Sequence, residues 1–151
     1  MILKSTFEPN QEIPTLFTCM SENINPPLFF EDVPEGTQSL ILSLEDTDAT
    51  PTPWIHWLLF NIPPTTKTVN QNQIPEGATE GLANNKSFGY EGPCPKYFSG
   101  THHYLFTLVA LNTVLDIPKE SDKTVVFEKM QGHILAISQL VGLCNADKFN
   151  L

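Results

Sequence analysis

Thirteen prolines, most of them in the first two-thirds of a 151-residue chain, constrain this sequence more than any other feature. Proline locks φ and has no N–H to donate, so it interrupts helices and central strands alike. What the prolines leave between them are short apolar runs, at residues 39–44, 54–60 and 104–111. Each is close to continuously apolar, the pattern of a strand covered on both faces. Ile2–Ser5 and residues 16–19 are shorter strand candidates. Pro/Gly turns are expected at 32–37 and 75–77, and the polar, Asn- and Gly-rich stretch 69–86 reads as a long loop.

One helix is expected near the C-terminal end. Phe127, Met130, Ile134, Ile137 and Val141 recur at spacings of three and four and form one apolar face. Ser121 or Asp122 can cap its start, and Gly142 falls near its end. No repeat or linker divides the chain, so residues 1–151 read as a single domain. Its expected class is mainly β: an antiparallel β-sandwich with long irregular loops and a packed C-terminal helix.

Charge narrows the function. The eight basic residues are all Lys, against 17 acidic ones, for a net charge of −9. Without a basic footprint or Arg forks, nucleic-acid binding is disfavoured. A bidentate guanidinium clamp on phosphate is also excluded, so any anion site must use His, Lys, hydroxyls and backbone N–H groups. The acidic surface opposes adsorption to anionic lipid. No apolar run is long enough to span a membrane as a helix, and the first residues do not read as a signal peptide, so a cytoplasmic location is expected. Cys19, Cys94 and Cys144, an odd number without a C-x-x-C pair, argue against a secreted disulfide framework and against a zinc ribbon.

Polar residues crowd three places beside the apolar runs. Asp46 and Asp48 end the first run, and extended geometry points two such side chains the same way. His56 lies between Trp54 and Trp57 on an apolar strand. Gly92-Pro93-Cys94-Pro95 and then Gly100-Thr101-His102-His103-Tyr104 feed the third run, where alternation puts His102 and Tyr104 on one face and His103 on the other. Each group alone also fits a bland role: a solvated Asx turn, a core His bonded to a carbonyl, a surface His pair. Together they suit one pocket at the end of a sandwich, where loops converge.

In order along the chain, Asp46-Thr47-Asp48-Ala49, then His56-Trp57 with Asn61-Ile62-Pro63, then Tyr90-Glu91-Gly92-Pro93-Cys94-Pro95, then Gly100-Thr101-His102-His103-Tyr104 closely resemble the phosphatidylethanolamine-binding protein family. The resemblance is to its short bacterial and archaeal, Raf-kinase-inhibitor-like branch and runs from about Phe7 to Leu143. Asn23-Ile24-Asn25-Pro26-Pro27-Leu28 is similar to the family's Asn-x-Ser-Pro-Pro-Leu segment. The resemblance implies a Greek-key β-sandwich with an anion pocket of Asp46, Asp48, His56, Gly92, Pro93, His102 and Tyr104. It implies a small anionic or zwitterionic ligand such as phosphate or a phosphoethanolamine-like group, a phosphorylated protein as a further partner, and a homodimer. With no Gly-x-Ser-x-Gly elbow, P-loop or Rossmann glycine pattern in the sequence, no turnover, no cofactor and no metal are expected, and the resemblance implies regulation or inhibition of kinases or proteases.

The chain departs from the family pattern in three ways. Thr47 and Thr50 replace the prolines of the acid loop, which is therefore expected to be more mobile or differently shaped. His103 replaces an Arg, so any ion pair from that position to a pocket acid is absent or pH-dependent. Asn25 stands where Ser is usual. For the pocket itself, His56, His102, Tyr104 and backbone N–H groups of the Gly-Pro loop are the expected donors, with Asp46 and Asp48 orienting the imidazoles or meeting an ammonium head. Anion affinity is expected to rise as pH falls through the imidazole range near ~6.5. Cys19 and Cys94 read either as free thiols in a reducing cell or as a reversible redox link, within the chain or between subunits. Two other functions remain open: a metal-dependent or His/Asp hydrolase acting on a small phosphoester through Asp46, His56 and His102, and a thiol redox sensor centred on Cys94.

Overall fold

A computed structural model describes residues 1–149. The strands are β1 (Ile2–Ser5), β2 (Gln11–Glu12), β3 (Leu28–Glu31), β4 (Ser39–Asp46), β5 (Trp54–Ile62), β6 (Thr68–Val69), β7 (Thr79–Glu80), β8 (Thr101–Leu111) and β9 (Ile134–Asn145), with one helix, α1 (Lys123–Lys129). β1, β3 and β6 form a small sheet, and the large sheet runs β2-β9-β8-β4-β5-β7. The pairings between these strands are antiparallel except that of β2 with β9.

The three long apolar runs become the centre of the large sheet, and both of its faces are covered. Leu40, Leu42 and Leu44 of β4, with Trp57, Tyr104, Phe106 and Leu108, meet Leu3, Leu28, Phe30 and Val69 in the core between the sheets. Ile41, Leu58, Phe60 and Val109 point the other way, toward Leu115, Val126 and Met130. This is why these strands lack polar alternation.

The expected helix is corrected. It ends at Lys129, and Gly132 takes the left-handed backbone (φ 81) that starts a new direction. Ile134, Ile137 and Val141 belong to β9, and Gly142 lies inside that strand rather than at a helix end. A run of Ile, Leu and Val satisfies both helical spacing and a buried strand, and the long pairing with β8 selects the strand. Of the two candidate caps, Asp122 serves: its carboxylate accepts from the Val125 N–H at 3.2 Å. His133 sits in the turn before β9 with Nδ1 3.0 Å from Asn112 Oδ1. Residues 16–19 are not a strand; a 3-10 turn occupies Thr15–Phe17. The loop at 69–86 holds the short β7.

Candidate functional site

Strand parity carries the core face directly into a polar cluster. Inward along β4 come Leu40, Leu42, Leu44 and then Asp46. Along β8, Leu108, Phe106 and Tyr104 are followed by His102. Asp46 pairs in register with Tyr104, and His102 with Cys144 of β9, so these side chains share one end of the inner face. His56 would point outward by simple alternation. However, the register shifts between Leu44 and Glu45, where one step on β4 spans Ile55 to Trp57 on β5. The extra residue is His56, and the bulge turns it inward. Its ring meets that of Tyr104 edge-on at 5.4 Å.

The cluster is nearly closed. Exposure is 0% at Tyr104, 2% at Asp46, 4% at His102 and 8% at His56. The Asp46 carboxylate accepts from His102 Nδ1 at 2.8 and 3.0 Å. A carboxylate only accepts, so Nδ1 carries the proton and Nε2 is left for a ligand. His56 Nδ1 lies 2.9 Å from the Glu91 carbonyl oxygen, which sets the same tautomer there. Burial pushes His56 below its usual pKa, partly countered by the Glu91 carbonyl and the Asp46 charge. The Tyr104 hydroxyl is buried and makes no hydrogen bond of ordinary geometry among the described residues, with the Asp46 carboxylate and the Cys94 N–H as its polar neighbours. Burial and the neighbouring Asp46 charge push it well above the normal phenol range, while the Cys94 backbone N–H opposes that rise. Cys144 is a buried free thiol, pushed up to about 12 chiefly by burial, and is inert as a nucleophile at neutral pH.

Asp48 does not join Asp46. Its carboxylate accepts from the His103 N–H at 2.6 Å and from His103 Nδ1 at 2.8 Å, on the outer side of β8. The two acids diverge because the chain turns after Asp46, whose Oδ1 accepts from the Asp48 N–H at 2.9 Å. Burial would raise the Asp48 pKa, but its hydrogen bonds to His103 and its electrostatic interaction with His103 and His102 bring it below the usual carboxylate value. His103 thus meets Asp48 where the family's Arg would stand, in a contact that is an ion pair only when the imidazole is protonated. The acid loop contains a cis bond at Thr50-Pro51.

The Gly-Pro loop is a wall, not a donor. The Gly92 N–H goes to Asn23 Oδ1 at 2.8 Å, and proline has no N–H. The Pro93 carbonyl accepts from the Cys19 N–H at 3.1 Å. Beside that contact Cys19 and Cys94 are joined by a disulfide with Cα atoms 5.4 Å apart, which is the within-chain link of the two readings and not the free thiols. Loop closure in three dimensions, invisible in a separation of 75 residues, brings them together. Phe98 lies over His102 with ring centroids 4.8 Å apart. Outside it is a groove of about 500 Å³ lined by Asp48, Tyr97, Phe98, Ser99, Thr101 and His102. A cavity of about 250 Å³ beside Asn23, Trp57 and Tyr90 contains none of these imidazoles.

Sequence reasoning missed Asn23, Glu91 and Phe98. Asn23 lies in a segment already singled out, but Glu91 acts through its main chain and so leaves no side-chain signal. Among the described residues no helix is long and apolar enough to cross a membrane. Among the described residues no three His, Cys, Asp or Glu side chains gather as a metal-ligand set.

Residues 3–145 match the family model described as phosphatidylethanolamine-binding protein. A relative named UPF0098 protein from Methanothermobacter thermautotrophicus is 42% identical, covering 91% of this chain and 93% of its own. Another UPF0098 protein, from Aquifex aeolicus, is 35% identical over 97% of this chain and 88% of its own. Among solved structures, the phosphatidylethanolamine-binding protein homologue CT736 from Chlamydia trachomatis superposes with a TM-score of 0.90 at 34% identity, covering 95% of this chain and 96% of its own. YbcL from E. coli, described as a member of the mammalian family, gives 0.86 at 26% identity with the same coverage.

Proposed function

The chain belongs to the phosphatidylethanolamine-binding protein family, and on that footing we propose that its Asp46–His56–His102–Tyr104 cluster binds a small anion such as phosphate or a phosphoethanolamine-like headgroup. The observation that carries this reading is the buried Tyr104 hydroxyl, which makes no hydrogen bond of ordinary geometry although Asp46 and the Cys94 N–H are its neighbours, beside two imidazoles whose Nδ1 atoms are already committed. An unpaired buried hydroxyl costs about 1–3 kcal/mol, and an anion oxygen would pair it. The bare Nε2 atoms accept protons as the anion enters, and Asp46 stabilises the resulting imidazolium at His102. Gly92 and Pro93 shape the wall, and Asp48 with His103 holds the outer rim. The protein acts without turnover, as a regulator of kinases or proteases that recognises a phosphorylated partner.

Tyr104→Phe separates this reading from plain packing. It is expected to leave the melting temperature unchanged or raise it, because it deletes an unpaired group. It is also expected to weaken phosphate binding by roughly ten-fold, about one charge-assisted hydrogen bond. Calorimetric titration with phosphate and phosphoethanolamine reads the affinity. Equal affinity in the two proteins would remove the hydroxyl from the site. A phosphoester screen with the wild-type protein decides the hydrolase alternative.

We further propose a homodimer through the exposed half of β9. Ile134, Leu135 and Ile137 are 36%, 41% and 54% exposed on a strand that carries no charge, in a chain of net −9. Ile137→Lys is expected to shift sedimentation from dimer to monomer; a wild-type monomer at high concentration would end this proposal. A cytoplasmic location accords with the same reading, and there thiol reductants would keep the Cys19–Cys94 bond in exchange with its dithiol form.

A further inference from the structure

Three observations meet at the Cys19–Cys94 bond. First, the loop that carries Cys94 roofs the imidazole cluster: its Glu91 carbonyl accepts from His56, and its Cys94 backbone N–H faces the Tyr104 oxygen. Second, the site beneath is almost sealed, so a ligand reaches His56 and Tyr104 only if the roof moves. Third, beyond Cys94 the Lys96 and Phe98 N–H groups donate to carbonyls of the loop itself, those of Cys94 and Pro95. The covalent tie therefore comes where the well-bonded wall, with Gly92 held by Asn23 and Pro93 by Cys19, gives way to the stretch ending in Phe98 over His102. Both cysteines are only half-buried, so a thiolate can reach the bond.

We propose that the Cys19–Cys94 disulfide is a redox-operated latch on entry to the imidazole cluster, an inference that rests on the anion-binding reading for its purpose but not for its test. Oxidised, the bond pins the roof and the cluster stays closed. A dithiol reductant opens it by thiolate attack through a mixed disulfide. The S–S bond breaks, two electrons and two protons pass to Cys19 and Cys94 as thiols, and the reductant leaves as its own disulfide. The segment 94–98 then lifts, and His56 and His102 become accessible. The fold itself persists, because β4, β5, β8 and β9 are paired independently of either cysteine loop.

Access is measured first without any ligand. Diethylpyrocarbonate acylates neutral imidazoles, and mass spectrometry reads the rate at each His. Reduction of the intact protein is expected to speed modification of His56 and His102 by about ten-fold or more, with His133 unchanged as the exposed control. Cys94→Ser is expected to show the fast rate with or without reductant. Equal rates at His56 and His102 in oxidised and reduced wild-type protein would overturn the latch. Phosphate titration of the same two samples then addresses the anion reading separately. Faster acylation with no phosphate binding in either state keeps the latch and discards phosphate as the ligand. Phosphate binding at one rate and affinity in both states, with unchanged acylation, keeps the anion site and discards the latch.

Discussion

Gly92→Ala is expected to lower the melting temperature by roughly 5–10 °C and to weaken anion binding with it. A Cβ at this position would stand 2.1 Å from the Phe17 carbonyl oxygen and 2.7 Å from Asn23 Oδ1. The first neighbour is main chain and cannot swing aside. The loop must retreat, and its retreat breaks the Gly92 N–H bond to Asn23 and disturbs the Glu91 carbonyl that holds His56. Overpacking of this kind costs about 1–3 kcal/mol, and in a domain of this size each 1 kcal/mol is about 2–4 °C. Gly142→Ala is the control. There the added carbon meets Ile13 side-chain atoms at 2.4 and 2.7 Å and Phe7 at 3.0 Å, and a change of Ile13 rotamer relieves much of the clash. The expected order is a larger loss at Gly92 than at Gly142, with anion binding impaired only by the former. Differential scanning calorimetry and phosphate titration check both. A Gly92→Ala protein that melts with the wild type would show that the wall is not close-packed.

The second large effect is a pH dependence whose sign differs between binding and stability. His56 is held neutral: its folded pKa lies below the ordinary 6.5, because of burial first, with the Glu91 carbonyl and Asp46 recovering part of the loss. The Tyr104 ring packs against it and brings no charge at neutral pH. Between the lowered folded value and 6.5 the unfolded chain binds a proton that the folded chain does not. Stability from His56 is therefore fully present above 6.5 and is lost as pH falls through that window. Asp48 acts in the same direction at more acid pH, since its carboxyl is also lowered in the fold. Anion binding runs the other way. A bare Nε2 must gain a proton to donate to an anion, so affinity rises as pH falls, about ten-fold per pH unit for each proton taken up.

Sulfate is the appropriate probe, because it does not titrate in this range while phosphate does. Sulfate affinity is expected to increase from pH 8 to pH 6 while the ligand-free melting temperature falls. His56→Gln is expected to flatten the stability slope. If the sulfate slope survives in that variant and disappears in His102→Gln, the proton sits on His102. A flat sulfate profile in the wild type would remove imidazole protonation from binding altogether.

Much of this site was legible because strand parity is a local property. Once residues 39–44 and 104–111 are strands, Asp46, His102 and Tyr104 must continue their inner faces, and His103 must leave the site. His56 was legible only as a polar residue in an apolar run. That it turns inward depends on a bulge in the pairing of β5 with β4, at which His56 is the extra residue. The misreading of β9 has the same origin: the apolar spacing of 127–141 fits two periodicities, and the pairing with β8 chooses between them. Asp48 was misplaced because an Asx turn, closed by Asp46, redirects the chain within two residues.

Proline spacing, apolar runs and the order of the polar groups were enough to settle a mainly β fold and to name the cluster, since these follow from local sterics and side-chain alternation. Which imidazole nitrogen is free, which main-chain groups are already occupied and which cysteines bond are long-range matters. They depend on loops meeting across the sheet, such as Cys19 with Cys94 over 75 residues, and no local rule records where two loops will touch.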